Sequence, residues 1–411
     1  MLMSKKEKIY TNSLGQIAWK RLKRNKLAVL GLFLIGLAVF VAFSGPFLRP
    51  DGTPKANDQI LEITTKKPGF TVKLLRVRKN SEVRESTFWT TITDGAESEF
   101  STIPIYDYSF EGQNLVVEKY TGNEINNGQM KKFNLANIVY MLDHNDVTES
   151  NGYLNFFTKE GKQHVSLEEL QAQISENNII VRKYYLGTDK YGRDLLSRLM
   201  AGTWISLFVG FISVFISLVI GITLGALAGY FRGWVDDVIM WFINVVWSIP
   251  TLLLVIAITM ALGKGVWQVF VAVGLTMWVE VARVVRGQML SLREKEFVEA
   301  GKALGFTNTR IIFKHMIPNV LGPVIVISAI NFAAAILIEA GLSFLGVGAQ
   351  PPQATWGKII AEHKGYIITG KAYLAILPGI AIILMVLAFV LVGNGLRDAL
   401  DSKTVDDLPV V

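Results

Sequence analysis

The stretch Glu294–Asn319 is polar and charged, yet it lies between two long apolar segments. Within it Phe297, Ala300, Gly301 and Leu304 fall at i, i+3, i+4 and i+7, a single apolar stripe on a helix over Glu294–Leu304. Glu294, Lys295, Glu296, Glu299 and Lys302 take the other sides. Two members of the stripe are small, so a second backbone can come close, as a helix seated in a partner's groove requires. A helix resting on lipid headgroups would show the same spacing. Gly305 is placed to end the helix in the left-handed conformation. Thr307 or Asn308 can cap a second short helix through Phe313, and Pro318 opens the next apolar segment.

Covalent or metal chemistry has little to work with. There is no cysteine, and His144, His164, His315 and His363 show no i, i+4 pairing, which argues against a zinc site. No nucleophile–base arrangement follows from spacing. Gly365–Ala372 approaches a P-loop, but Ala372 stands where Ser or Thr must hold magnesium, so the match is read as chance. Four polar groups fall inside apolar runs: Asn244, Glu280, Asn331 and Glu339. Such groups are functional candidates because lipid exposure is costly. Glu280 precedes Arg283 by three residues and is expected to pair with it. Glu339 is expected near the wet end of its helix. Asn331 is the leading candidate for a pathway, with Asn244 and Trp241 as further lining.

These residues need a membrane scaffold. The 411-residue chain is 51% hydrophobic and only 18% charged, with mean hydropathy +0.37, outside the range of ordinary soluble proteins. Residues 1–27 are basic (Lys5, Lys6, Lys8, Lys20, Arg21, Lys23, Arg24, Lys26), with Tyr10, Leu14, Ile17 and Trp19 marking an interfacial helix. A first span covers 28–48 and is too long for a signal-peptide core. Residues 49–185 turn polar. Phe70–Val77, Thr87–Thr93 and Asn114–Tyr120 alternate as strands, and Ser166–Asn177 reads as one capped helix. Five more spans follow over 186–403, near Trp204–Tyr230, Val238–Leu262, Val266–Val285, Ile317–Ala340 and Ala375–Leu396, with a loop at 287–316 and a tail at 404–411. Counting turns from a cytoplasmic N-terminus puts the loop and the C-terminus inside. The loop's own basic residues, Arg286 to Lys314, place it on the same side. Gly221, Gly225 and Gly229 form a doubled G-x-x-x-G for close helix crossing. Pro250, Pro323 and Pro378 are expected to kink their helices.

Glu299, Ala300, Gly301, Lys302, Ala303, Leu304 and Gly305 spell E-A-G-x-x-x-G, which resembles the E-A-A-x-x-x-G loop of ABC importer permeases, with Gly301 for the usual Ala. The likeness narrows to the C-type subunit of the oligopeptide/dipeptide/nickel family. Leu186–Arg198 resembles its L-G-T-D-x-x-G-R-D-x-x-S-R segment, and Gly229–Asp236 its short inner loop. Ala282–Gly287 resembles A-R-x-V-R-G, and Glu339–Gly346 with Pro351, Pro352, Trp356 and Gly357 its outer segment. Departures are Trp241 and Asn244 where the family has a charged M-R-x-x-D pattern, Asn394 for Asp, Ser402 for Pro, and the long 51–185 stretch.

The residues themselves give six spans and an inserted β-rich α+β extracytoplasmic domain; the resemblance implies that the spans form an all-α polytopic membrane protein of the type I importer permease fold, with six transmembrane helices. It implies a bacterial cell-membrane location and a non-enzymatic chain that binds no cofactor. ATP and magnesium would sit in two cytoplasmic ATPase subunits. A homologous second permease and an extracytoplasmic peptide-binding protein would complete the assembly, with no nucleic acid. Phe297, Glu299, Ala300, Gly301, Ala303, Leu304 and Gly305 would couple to the ATPases. The solute would be a peptide, alternatively a nickel chelate or other small solute. A membrane receptor with an external ligand-binding domain is the reading of another class.

Overall fold

The computed structural model describes residues 14–400 apart from 84, 123–124, 126–127 and 144–145. Lys5, Lys6, Lys8 and Tyr10, His144, Ser402 and the 404–411 tail therefore lie outside the described residues. The chain opens with α1 (Leu14–Arg24) and α2 (Lys26–Leu48). Asn25 separates them and caps α2, its side-chain oxygen accepting from Leu27 N at 3.1 Å and Ala28 N at 3.2 Å.

The segment after α2 feeds an inserted sheet domain. Its elements are β1 (Phe70–Arg78), α3 (Phe88–Thr93), β2 (Phe100–Glu111), β3 (Asn114–Lys119), β4 (Met130–Asn134), α4 (Leu135–Val139), β5 (Thr148–Ser150), β6 (Tyr153–Thr158), β7 (Gly161–Ser166), α5 (Leu167–Gln173) and β8 (Ile179–Tyr184). Five strands form one antiparallel sheet in the order β4-β3-β2-β1-β8, and β5-β6-β7 form a second. Alternation along β1 explains the layers. Leu75 joins Leu115, Val117, Leu154, Phe156 and Leu170 on one face, while Val72 and Leu74 pack on Ile60 and Ile63 on the other. Ser166 caps α5 through Glu169 N, and the helix widens into a π turn at Ile174–Asn178, so this helix matches its expected bounds.

Thr87–Thr93 is α3, not a strand. Phe88 stacks on Phe47 of α2 (6.2 Å), and the hydroxyls of Thr90 and Thr93 donate to Thr87 O and Trp89 O, closing one local turn. These local side-chain bonds close a helical turn in spite of the β propensity of the threonines.

The membrane part contains α6 (Leu195–Phe231), α7 (Gly233–Ser248), α8 (Thr251–Leu262), α9 (Val266–Arg293), α10 (Glu296–Ala303), α11 (Asn308–Arg310), α12 (Ile317–Phe344), α13 (Trp356–His363) and α14 (Tyr373–Leu400). Among the described residues five helices are long and apolar enough to span a bilayer, or six if α7 and α8 make one broken span. The single span expected over Val238–Leu262 is in fact two helices bent by 92°. Pro250 offers no N–H and pushes Ile249 out of helical conformation (φ −90°, ψ 127°). Pro323 and Pro378 remain inside α12 and α14.

One buried polar hub ties the sheet domain to the bundle. Asp189 accepts from Tyr191 N, Arg193 N and Arg193 Nε (2.8, 3.0 and 2.6 Å), and Arg193 goes on to Asn57 (3.0 Å) and Glu362 (3.3 Å). Asp194 caps α6 by accepting from Ser197 N (2.8 Å), and Ser197 Oγ accepts from Asp51 N (2.9 Å). Arg198 donates to Lys55 O and Pro352 O. Burial raises the Asp194 carboxyl above its usual range, opposed by the Ser197 bonds. Gly192 is obligatory here. Its φ is +73°, and a Cβ would sit 1.7 Å from Ile60 O.

The sheet domain leaves the bundle and returns at adjacent points. Gly69 N donates to Tyr184 O (2.9 Å), Phe70 pairs with Tyr184, and Thr188 N donates to Lys66 O (3.1 Å). Excising 68–184 and joining Lys67 to Tyr185 through a short glycine–serine linker should leave a monodisperse bundle on size-exclusion chromatography in detergent. Excising 55–180 should not, because it removes Asn57, Ile60 and Lys66. Equal behaviour of the two variants would contradict the hub.

Candidate coupling surface and pathway

Helix α10 is shorter at its start than the pattern suggests, and Gly305 ends it with φ +73°. Phe306 N donates to Gly301 O (3.0 Å) and Gly305 N to Lys302 O (3.0 Å), the paired bonds of a Schellman stop. The Phe306 ring then closes over Gly301, and Val298 is fully buried against the same side. The apolar stripe is therefore split. Gly301 faces its own chain, whereas Phe297, Ala300, Ala303 and Leu304 face outward with Glu299. Leu304 is 72% exposed and Phe313 65%. Periodicity could not separate these faces, since Val298 lies one residue from Phe297 and both flanks of the stripe are apolar.

The expected second short helix is the start of a long one. Thr307 Oγ1 accepts from Arg310 N (3.4 Å) and caps α11, which runs through a π turn at Ile311–Met316 into α12. The wide turn ends as Ile317 N donates to Ile312 O, directly before Pro318, whose ring needs the extra room.

The tight turn between α6 and α7 at Arg232, with the helix ends that flank it, braces this surface. Tyr230 Oη donates to Asn308 Oδ1 (2.7 Å), Arg232 to Glu294 Oε1 (2.7 Å), and Arg286 of α9 makes a two-pronged contact with Asp236 (2.5 and 2.7 Å). The Arg232 contact holds the Glu294 carboxyl below its usual range. These braces were not assigned a role from the sequence; the only signal was the likeness of Gly229–Asp236 to a family loop. Beneath them Val298, Ile311, Ile312 and Met316 share one apolar cluster with Tyr230 of α6 and Val285 and Met289 of α9.

Gly221, Gly225 and Gly229 lie against α9. A Cβ on Gly225 would fall 2.5 Å from Ala282 O, and one on Gly221 2.8 Å from Trp278 O. The backbones thus touch across the crossing.

The polar groups in the spans fall differently from expectation. Arg283 does not pair with Glu280; it donates to Asn244 Oδ1 (2.9 Å) and stacks 3.6 Å from the Trp247 ring. Glu280 stays exposed beside a pocket at the α7–α8 elbow. Glu339 is not wet: it is 2% exposed and accepts from Ser343 Oγ (2.7 Å). Asn331 is 1% exposed inside the bundle, so it faces this chain's own helices, whereas Trp241 and Asn244 are on an open face. The P-loop-like stretch follows helix α13 and opens in a short turn, and Lys371 donates to Thr65 Oγ1, pinning that loop to the linker ahead of β1.

The profile for a binding-protein-dependent transport system inner membrane component matches residues 221–406, and that for the N-terminal TM domain of oligopeptide transport permease C matches 13–66. The dipeptide transport system permease protein DppC of Alkalihalophilus pseudofirmus is 42% identical over 221 residues, 54% of this chain and 72% of that protein. The chain belongs to the inner-membrane permease family of binding-protein-dependent transport systems. The glutathione transport system permease protein GsiD of Pectobacterium atrosepticum is 41% identical to the permease, over 54% of this chain and 73% of that one. The oligopeptide transport system permease protein OppC of Haemophilus influenzae is 42% identical, over 54% and 70%. The permease is a multi-pass membrane component of an ABC importer of the C type. The N-terminal profile ends at residue 66, four residues before β1, so the sheet domain begins where that family region stops.

Gly225→Val should lower the thermal unfolding midpoint of the detergent-solubilised permease sharply or prevent folding, since the obstructing atom is backbone. Gly301→Ala should leave it unchanged or raise stability by up to about 1 kcal/mol, because the added Cβ finds ordinary contacts at 3.4–3.9 Å. The reverse order would overturn this account of the two glycines.

Proposed function

We propose that the permease forms half of the translocation pathway of a peptide importer and takes its driving force through α10 from cytoplasmic ATPases. The carrying observation is the outward ridge of Phe297, Ala300, Ala303 and Leu304, an apolar strip on an otherwise charged loop, held rigidly from behind. An unpartnered apolar strip on a short helix suits a groove in another protein. The names of relatives at about 40% identity (dipeptide, oligopeptide and glutathione permeases) support a peptide as solute.

In this reading α10, the α11–α12 helix, α9 and the lower end of α6 move as one lever. Closure of the ATPase pair displaces α10. The apolar cluster around Val298 and Met316, with the Tyr230–Asn308 and Arg232–Glu294 bonds, carries that displacement into the spans. Glu299, exposed on the ridge, contributes charge-assisted contacts across the interface. Gly301 acts indirectly, by letting Phe306 close the turn that orients the ridge. ATP and magnesium belong to the partner subunits. A second permease completes the pathway, and an external binding protein delivers the solute to the pole bearing the sheet domain. The N-terminus, α10 and the C-terminus are cytoplasmic, which the basic residues around α10 favour.

Phe297→Glu and Leu304→Glu should each abolish co-purification of the ATPase pair while leaving the thermal midpoint of the permease within the error of wild type, because both side chains are exposed. ATPases that co-elute at the wild-type ratio with either variant would overturn the docking assignment.

A further inference from the structure

The elbow between α7 and α8 encloses, with α9 and α12, a pocket of about 240 Å³. Trp247 and Ile249 of the elbow, Thr276 and Glu280 of α9, and Ala334 and Ile338 of α12 line it. Glu280 is the fifteenth of the 28 residues of α9. At 1.5 Å per residue that helix is ~42 Å long, so its midpoint lies within the ~30 Å hydrocarbon depth of a bilayer.

Two independent features say this pocket does not face lipid. A carboxylate at mid-depth on a lipid-facing surface costs about 3 kcal/mol. The break puts non-helical backbone at Ile249 and Pro250, which at membrane depth is tolerated where it is buried in protein or lines a water-filled cavity, not against lipid.

Glu280 has no cation within ion-pair distance among the described residues. Arg283, the natural partner one turn away, is held off by Trp247 and Asn244. Thr276 sends its hydroxyl proton to Val273 O at 2.9 Å and keeps lone pairs to offer. The pocket therefore presents acceptors and an indole edge, with an unpaired negative charge among apolar walls. That is a site for an ammonium group.

We propose that this pocket is the point in the pathway where the free α-ammonium of a transported peptide is received, with Glu280 as its acceptor and Thr276 as a second. The proposal rests on the peptide-import reading. Arg283, held by Asn244 and Trp247, lies one turn toward α10 and supplies a positive charge for the carboxylate end of a short peptide. A two- or three-residue peptide spans at most about 7–11 Å between its termini, which the rise of one helical turn plus two long side chains covers.

The test uses the full assembly of permeases, ATPases and binding protein in proteoliposomes. Initial uptake of a free-amine peptide should fall roughly tenfold in Glu280→Gln, the effect of one lost charge-assisted hydrogen bond, and return in part in Glu280→Asp. Peptide affinity of the binding protein and basal ATP hydrolysis should not change. The native absence of cysteine makes Glu280→Cys a unique thiol in this chain. It should react with a water-soluble cationic thiosulfonate, read on this chain's band, and be protected by free-amine peptide during turnover. Side-chain lysine as the source of the ammonium is distinguished by comparing lysine-free and lysine-containing peptides; protection only by the latter overturns the α-ammonium assignment. An unreactive thiol in Glu280→Cys, or wild-type uptake by Glu280→Gln, overturns the site while leaving peptide import standing. A wild-type assembly that hydrolyses ATP with its binding protein yet takes up no peptide overturns the peptide reading itself.

Discussion

The structure depends first on the direct backbone contact between α6 and α9. Three glycines one turn apart clear a strip of the α6 side of the crossing, so Ala282, Val285 and Met289 come against bare backbone there. In a bilayer no hydrophobic force drives helices together, and this close van der Waals fit is what remains. The consequence is long-range. Helix α6 is 37 residues long, about 55 Å. One end is capped by Asp194 in the polar hub beneath the sheet domain, and the other carries Tyr230 against Asn308. Helix α9 carries Glu280, Arg283 and Arg286 and leads straight into α10. Fusing these two helices joins the pole that bears the sheet domain to the end that carries α10.

The hub at the other end shows how a large domain can be added without disturbing that frame. Entry and exit of the inserted sheet are neighbouring, hydrogen-bonded strands, so the bundle experiences the insertion as a closed hairpin. Loop-closure entropy grows only with the logarithm of loop length, and here the ends are pinned by Thr188, Gly187 and Lys66 regardless of what lies between. The motif at Leu186–Arg198 is then a structural requirement. Its glycines clear the linker backbone, Asp189 pairs with Arg193, Asp194 caps α6 through Ser197, and Arg198 ties the carbonyls of Lys55 and Pro352 together, both acids and both arginines being buried.

Much of this was legible in sequence because it depends on local rules. Spanning helices follow from apolar length, α5 from its Ser166 cap, the stop of α10 from Gly305, and β1 and β3 from alternation. What escaped depends on neighbours. The threonines of α3 bond within their own turn beside α2, which strand-like composition does not show. The break at Pro250 reads as a kink until its size is seen. Asn331 and Glu280 differ only in which way the helix is turned, and spacing within one span carries no information on that. Gly301 shares a stripe with Leu304, yet Phe306 claims one and leaves the other free.

The arrangement around Arg283 brings these threads together. Family likeness implies an acid at position 244; an asparagine stands there, and Trp241 replaces a base. Losing the acid alone would leave Arg283 uncompensated at membrane depth, a costly state. The chain answers with two weaker contacts, an amide oxygen and the Trp247 face. Both hold the guanidinium away from Glu280. Arg283 is thus compensated without its neighbour on the helix, and Glu280 is left beside the elbow pocket with no cation at ion-pair distance among the described residues.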